Sequence, residues 1–266
     1  MKPFLKWVGG KTQILDKIIE QIPKTIENYH EPFIGGGSVL LAILSSDIKI
    51  TGKVFASDAN SHLISLYEKV RDDPDGLIAE LEELSKNVSE EVYYANRVKF
   101  NSNPTPAMFL CLNKTGFRGL YREGPNGYNV PWGHMNNPTI FTADHIRSVS
   151  RLVKNVILKC QSFEQSLLKV NSASNFVYLD PPYAPENATS FVSYTRSGFS
   201  KNQHETLFQM TKNLPCKFLL SNSDVSLVRD AFPSPQFLTE IVLARRAINS
   251  KDPSAQTNEV LIQSSR

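Results

Sequence analysis

Short apolar runs of strand length recur along this chain, alternating with stretches of helical periodicity, and that alternation most limits the folds open to it. Val54-Phe55-Ala56 (after Lys53), Val156-Ile157-Leu158, Phe176-Val177-Tyr178-Leu179 and Phe218-Leu219-Leu220 are apolar at odd and even positions alike. A strand with water on one side alternates; these do not, so they predict strands covered on both faces. Between them, Ile14, Leu15, Ile18, Ile19 and Ile22, then Leu63, Ile64, Leu66, Tyr67 and Val70, then Leu207, Phe208, Thr211 and Leu214 follow the spacing of one helix face. Strands alternating with amphipathic helices define an α/β fold.

The rhythm breaks between about Asp72 and Val153. Asp72-Asp73-Pro74-Asp75-Gly76 reads as a turn, two helical stretches follow, and Tyr121 to Trp132 is dense in Gly, Pro and Asn with aromatics between, as in a hairpin or irregular loop. An inserted domain over 72–153 is therefore expected, with residues 1–71 and 154–266 forming the other. Phe237 to Ala244 and Asn258 to Gln263 read as two final strands, joined by a long polar connection.

With 41% hydrophobic and 21% charged residues, and 29 basic against 26 acidic side chains, the composition is that of a folded globular protein. The net charge of +3 neither demands nor excludes nucleic acid. Cys111, Cys160 and Cys216 are odd in number and far apart, which suggests buried free thiols and neither disulfides nor a zinc site. The first residues lack the apolar run of a signal, and no stretch approaches a membrane span, so a soluble, reducing, cytoplasmic setting is expected, with no membrane and no metal.

Three segments carry chemistry. Glu31-Pro32-Phe33-Ile34-Gly35-Gly36-Gly37-Ser38 places glycines at a strand-to-helix turn, where the backbone can approach a ligand and the helix N-terminus offers free amides. A turn that only reverses the chain reads the same way. Asp58, 22 residues beyond Gly36 at the tip of the next strand, is placed to accept ribose hydroxyls or to cap the helix starting near Asn60. Three consecutive glycines, with leucine at position 40, do not spell the dinucleotide fingerprint, which argues against NAD and leaves other adenosine cofactors open. Asp180-Pro181-Pro182-Tyr183 follows a buried strand directly. Its prolines remove backbone donors and leave an acceptor-rich turn beside an aromatic ring, suited to a planar group bearing an NH2. Phe4-Leu5-Lys6-Trp7-Val8-Gly9-Gly10-Lys11 offers a backbone cradle for an anionic group, or a plain surface turn; it lacks the second half of a phosphate loop.

Together with Ser57-Asp58-Ala59-Asn60, these segments occur in the order found in the α group of DNA adenine methyltransferases related to Dam, which the chain resembles over nearly its whole length. The resemblance implies a Rossmann-like methyltransferase sheet, mostly parallel with an antiparallel last strand, plus a mainly helical inserted DNA-recognition domain carrying a hairpin. It implies S-adenosylmethionine as cofactor, held by Trp7, Lys11, Phe33, Gly35, Gly37, Asp58 and Asp180, with Ser162 and Phe163 at a matched position that reads equally well as a hydrophobic plug. It implies that Asp180, Pro181 and Tyr183 hold a flipped adenine for direct methyl transfer to its N6 amine.

In the insert, Asn113 to Arg122 and Gly127 to Gly133 resemble the family's DNA-reading hairpin, which implies double-stranded DNA as partner and contacts from Lys6, Lys114, Arg118, Tyr121, Arg122, Asn129 and Pro131. Lys114, Arg118 and Arg122 recur every four residues, which on a helix would place them on one face. Where GATC-methylating members carry asparagine, this chain has Arg118, so a palindrome such as CATG is expected as readily as GATC. Residues 184–200 are expected to form a loop over the flipped base, or an ordinary solvent loop, and Arg245, Arg246 and Lys251 to meet the DNA backbone. A monomer or weak dimer on DNA, and a restriction nuclease acting on the same site, complete the expectation. An RNA adenine methyltransferase and a catalytically silent DNA-binding protein of the same fold are the rivals.

Overall fold

The computed structural model describes residues 1–185, 199–245 and 256–265. In chain order the elements are α1 (Leu15–Glu20), β1 (Thr25–Ile26), β2 (Tyr29–Glu31), α2 (Ser38–Leu44), β3 (Lys49–Ile50), β4 (Val54–Asp58), α3 (Ser61–Asp72), α4 (Pro74–Ser85), α5 (Glu90–Ser102), α6 (Pro106–Thr115), a 3-10 turn (Phe117–Gly119), β5 (Glu123–Gly124), β6 (Gly127–Tyr128), α7 (Ala143–Val153), β7 (Val156–Cys160), α8 (Phe163–Leu167), β8 (Phe176–Leu179), α9 (Lys201–Lys212), β9 (Lys217–Ser223), α10 (Ser226–Ala231), β10 (Phe237–Arg245) and β11 (Gln256–Ser264). They divide between two compact units, one of residues 1–10, 35–46 and 58–160, the other of residues 11–34, 47–57 and 161–266. The stretch 72–153 falls wholly within the first.

In the second unit, strands run in the order β10-β11-β9-β8-β2-β4. β4, β2, β8 and β9 are parallel neighbours, while β11 is antiparallel to both β9 and β10. The sheet is thus mostly parallel with an antiparallel final pair. All four residues of β8 are buried, as its unbroken apolar run requires. Val177, Leu179, Leu207, Phe218, Leu220, Val260 and Ile262 belong to one core cluster. Each such aliphatic or aromatic side chain stabilises the fold by about 1.5–3 kcal/mol when fully buried. Ser200 and Gln203 close a capping box at the start of α9. β2 has no apolar run to announce it; its sequence is Tyr-His-Glu, yet all three residues are buried.

The first unit is mainly helical: α3 and α4 pack on α6, α5 packs on α6, and α3 packs on α7. Asp72 to Gly76 is no open turn, because α3 runs to Asp72 and α4 starts at Pro74, with the Asp73 side chain accepting from the Gly76 amide. Proline at the first helical position needs no amide partner, so Asp-Pro-Asp-Gly opens a helix. Three helices, α4 to α6, stand where two were expected. Tyr121 to Trp132 does hold a hairpin, β5 against β6. Cys111 and Cys216 are buried, but Cys160 ends β7 exposed.

Candidate active site

In the second unit, Asp180 follows the last residue of β8 and lies at the carboxyl end of the parallel strands, where side chains of an open α/β sheet face the ligand crevice. The Lys11 ammonium lies 2.8 Å from Asp180 Oδ1, with the lysine only 4% exposed. Ser221 of β9 donates to the same oxygen at 2.8 Å. The Lys11 ammonium also stands 4.7 Å over the Tyr183 ring. Tyr183 in turn donates its hydroxyl to Glu259 Oε2 of β11 at 2.8 Å.

The turn is gripped further along. Asn222 Oδ1 accepts from the Ala184 amide at 2.9 Å, and the Ser223 hydroxyl donates to the Ala184 carbonyl. Asn222 is fully buried, and its Nδ2 has no hydrogen-bond partner among the described residues. Burial and the nearby Asp180 carboxylate push the Tyr183 phenol well above its ordinary value, so it stays protonated and a donor. Neighbouring β2 carries Glu31, 2% exposed, which accepts from Tyr29 at 2.7 Å. Desolvation pushes its carboxyl up to about 8. Phe33 stacks on Phe163, their centroids 5.7 Å apart, with Phe199 against both. Ser162 spends its hydroxyl on the capping box of α8 with Gln165.

In the first unit, Gly35 has φ +46° and Gly37 has φ +70°, both in the left-handed region that suits glycine. A Cβ on Gly35 would come within 2.8 Å of Trp7 Cδ1, so the indole and the turn are in close approach. Asp58 is not the cap of α3; Asn60 is, its side chain accepting from the Leu63 amide. Asp58 instead accepts from the Gly35 amide at 3.1 Å and the Asn60 amide at 3.0 Å, tying the glycine turn to the end of β4. Burial pushes its pKa up while those amides pull it down.

Trp7 stacks on Tyr121 at 5.9 Å, and Tyr121 donates to Glu123. Asn113 accepts from the Lys6 amide at 2.9 Å and donates to the Lys6 carbonyl at 2.7 Å. The Lys6 ammonium meets the Lys114 carbonyl at 3.2 Å, and burial lowers the pKa of both lysines, that of Lys114 further through Lys6. Arg122 is held by Asn129, Nε to Oδ1 at 2.7 Å and Nη2 to the backbone carbonyl at 3.1 Å.

Lys114, Arg118 and Arg122 do not share a helical face, because α6 ends at Thr115 and Arg118 has φ +55°. Arg118 lies over the Phe117 ring, and Phe117 is 40% exposed. Pro131 is also exposed. The polar run Ser221-Asn222-Ser223 and Glu259 belong to no motif legible in the sequence. Strand polarity at 221–223, where an apolar run should continue, was the available signal for the first of these. Residues 186–198 of the expected loop, together with Arg246 and Lys251, lie outside the described residues, as does the side chain of Arg245.

An acceptor-rich turn closing a buried parallel strand, and a glycine turn tied to an acidic strand tip, are the parts expected of a nucleotide-cofactor transferase. Residues 7–248 match the D12 class N6 adenine-specific DNA methyltransferase family. The Type II methyltransferase M.MjaIII of Methanocaldococcus jannaschii is 40% identical over 277 aligned positions, covering 94% of this chain and 94% of that one. The Type II methyltransferase M1.LlaDCHI of Lactococcus lactis subsp. cremoris is 34% identical over 87% of this chain and 84% of its own. The DNA adenine methylase of Escherichia coli strain K12 is 35% identical over 94% of this chain and 90% of its own. The chain belongs to the D12 class of N6 adenine-specific DNA methyltransferases. It is an enzyme of adenine-specific DNA methylation, as the motif order implied. Among the described residues no group of three or more His, Cys, Asp or Glu is suited to a metal ion, and no described helix is long and apolar enough to cross a membrane.

Proposed function

We propose that this enzyme methylates the N6 amine of adenine within a short palindrome of the CATG or GATC type in duplex DNA, by base flipping and direct transfer. The turn at Asp180 carries this reading: a carboxylate fixed by two donors at 2.8 Å each, followed by two prolines and a ring. When bound, S-adenosylmethionine supplies the electrophilic methyl group. The residues fit such a group. Asp58 keeps each carboxylate oxygen on a backbone amide, leaving further lone pairs for ribose hydroxyls, and the turn at Gly35 tolerates no side chain.

By the motifs they belong to, Trp7, Lys11, Phe33, Gly35, Gly37, Asp58, Ser162, Phe163 and Asp180 are assigned to the cofactor. Asp180 and the Pro181 carbonyl accept the two N–H bonds of the adenine amine, favouring a pyramidal, nucleophilic nitrogen, while Tyr183 stacks on the ring. An adenine inside a duplex cannot present its amine, so unstacking costs a few kcal/mol that DNA contacts must supply. Lys6, Lys114, Arg118, Tyr121, Arg122, Asn129 and Pro131 are assigned to those contacts, the arginines to guanine edges. A monomer or weak dimer in the cytoplasm, sharing its site with a restriction nuclease, fits this reading.

The test is transfer of a labelled methyl group from S-adenosylmethionine to unmethylated genomic DNA, followed by mapping of modified adenines. One short palindrome should carry the label. Asp180→Ala should lower transfer by about 100- to 1000-fold while leaving DNA affinity within about threefold. Near-wild-type transfer by that variant removes Asp180 from the mechanism, and DNA that stays unlabelled while S-adenosylmethionine binds overturns the substrate.

A further inference from the structure

The Tyr183 hydroxyl has no part in stacking, yet it is the best-anchored atom of that side chain. It donates at 2.8 Å to Glu259 Oε2. Glu259 is itself rigid: it lies within β11, paired on one side with Ser223 of β9 and on the other with Val242 of β10. Strand β9 alone holds the backbone on either side of the ring, Ser221 through Asp180 and Asn222 and Ser223 through Ala184. The ring is therefore fixed at its root by the turn and at its tip by a carboxylate. A ring held only at its root swings about χ1 and carries its face out of the space a base must enter, whereas a tip that is also held fixes the direction of the ring's long axis.

We propose that Glu259 is a positioning residue for base stacking: by accepting the Tyr183 hydroxyl it fixes the ring's long axis and, because a phenolic O–H prefers the ring plane, the face offered to the incoming adenine. This rests on the assignment of Tyr183 to stacking made above. A hydrogen bond to an ionised acceptor is shorter and about twice as strong as a neutral one, so the carboxylate holds the ring better than a water would. The phenol stays protonated because burial and the carboxylates of Asp180 and Glu259 all raise its pKa, so the contact persists across the working pH range. Glu259 touches neither the amine nor the methyl group; it acts through Tyr183 alone.

That last point makes the proposal testable by non-additivity. Glu259→Ala, Glu259→Gln, Tyr183→Phe and the double variant Tyr183→Phe/Glu259→Ala are compared in kcat, in KM for DNA and for S-adenosylmethionine, and in the fluorescence of duplex DNA with 2-aminopurine at the mapped target adenine. Glu259→Ala and Tyr183→Phe should each lower kcat about tenfold with KM for S-adenosylmethionine unchanged within about twofold. The double variant should be no slower than either single one, because both remove the same contact. Glu259→Gln, which keeps an acceptor, should recover most of the loss. The 2-aminopurine signal of the wild type should be altered in Glu259→Ala and restored in Glu259→Gln.

If the double variant loses the product of the two single losses, or if Glu259→Ala keeps the wild-type fluorescence and kcat, Glu259 does not act through the ring and the proposal fails. A wild type that gives no 2-aminopurine change on binding its own mapped site fails earlier: it removes base stacking on Tyr183, and this inference with it.

Discussion

Glu31 on β2 is 2% exposed, and desolvation holds its carboxyl up at about 8, against an ordinary value near 4.5. At neutral pH it is the neutral partner of Tyr29. A carboxyl that binds its proton more tightly when folded contributes stability that is fully present below about 4.5 and is lost as pH rises toward about 8. Its neighbour His30, 1% exposed, works in the other direction: burial lowers its pKa to about 4, so its stability contribution is lost as pH falls from about 6.5 to about 4. The two windows overlap with opposite signs. Because they cancel between about pH 4.5 and 6.5, Glu31→Gln should unmask a rise of the denaturation midpoint up to about pH 6.5 and remove its decline from there to about 8. Denaturant melts of both proteins across that range decide it, and an unchanged slope above pH 5 would mean Glu31 is ionised in the fold.

The strand-to-helix turn before α2 depends on positions that refuse a side chain. Gly35→Ala puts a Cβ at φ +46° and 2.8 Å from Trp7 Cδ1. A cost of about 1–3 kcal/mol in stability is expected from strained backbone of this kind, with a fall in S-adenosylmethionine affinity in equilibrium dialysis that a Gly10→Ala control does not share. The contact nearest a Cβ at Gly10 is an ordinary 3.5 Å. This turn was readable in the sequence less from its glycines, which would suit any chain reversal, than from Asp58 at the tip of the next strand. Also readable were β8 and the Asp180 turn, where four buried apolar residues meet two prolines. Elements failed to show where polarity hid burial. Tyr29-His30-Glu31 reads as surface, and becomes a sheet strand only because β4 and β8 close over it. Asp73-Pro74 reads as a break, and becomes a helix start because its carboxylate caps the Gly76 amide. The grip of β9 and β11 on the Asp180 turn joins residues 38 to 76 positions apart, a distance over which spacing carries no signal.

Across the whole molecule, 29 basic and 26 acidic side chains leave only +3, so no global field draws the chain to a polyanion. Of the described arginines proposed to meet DNA, Arg122 is braced by two hydrogen bonds to Asn129. Arg122→Ala should relax discrimination against one substituted base pair by about 1–3 kcal/mol, while the dependence of log affinity on log salt becomes shallower by no more than about one. Filter binding over a panel of single-substitution sites at several salt concentrations measures both; uniform weakening on every site would make Arg122 a backbone contact. The order of strands also bears on how the enzyme is made. The Asp180 turn is fastened by residues 221–223 and 259, so every part of its clamp is synthesised after the turn itself. A nascent chain carries its glycine turn and its aspartates long before it carries that clamp. The turn thus waits on β11 for its outermost hold, and what has been translated before residue 259 must keep the ring in place without it.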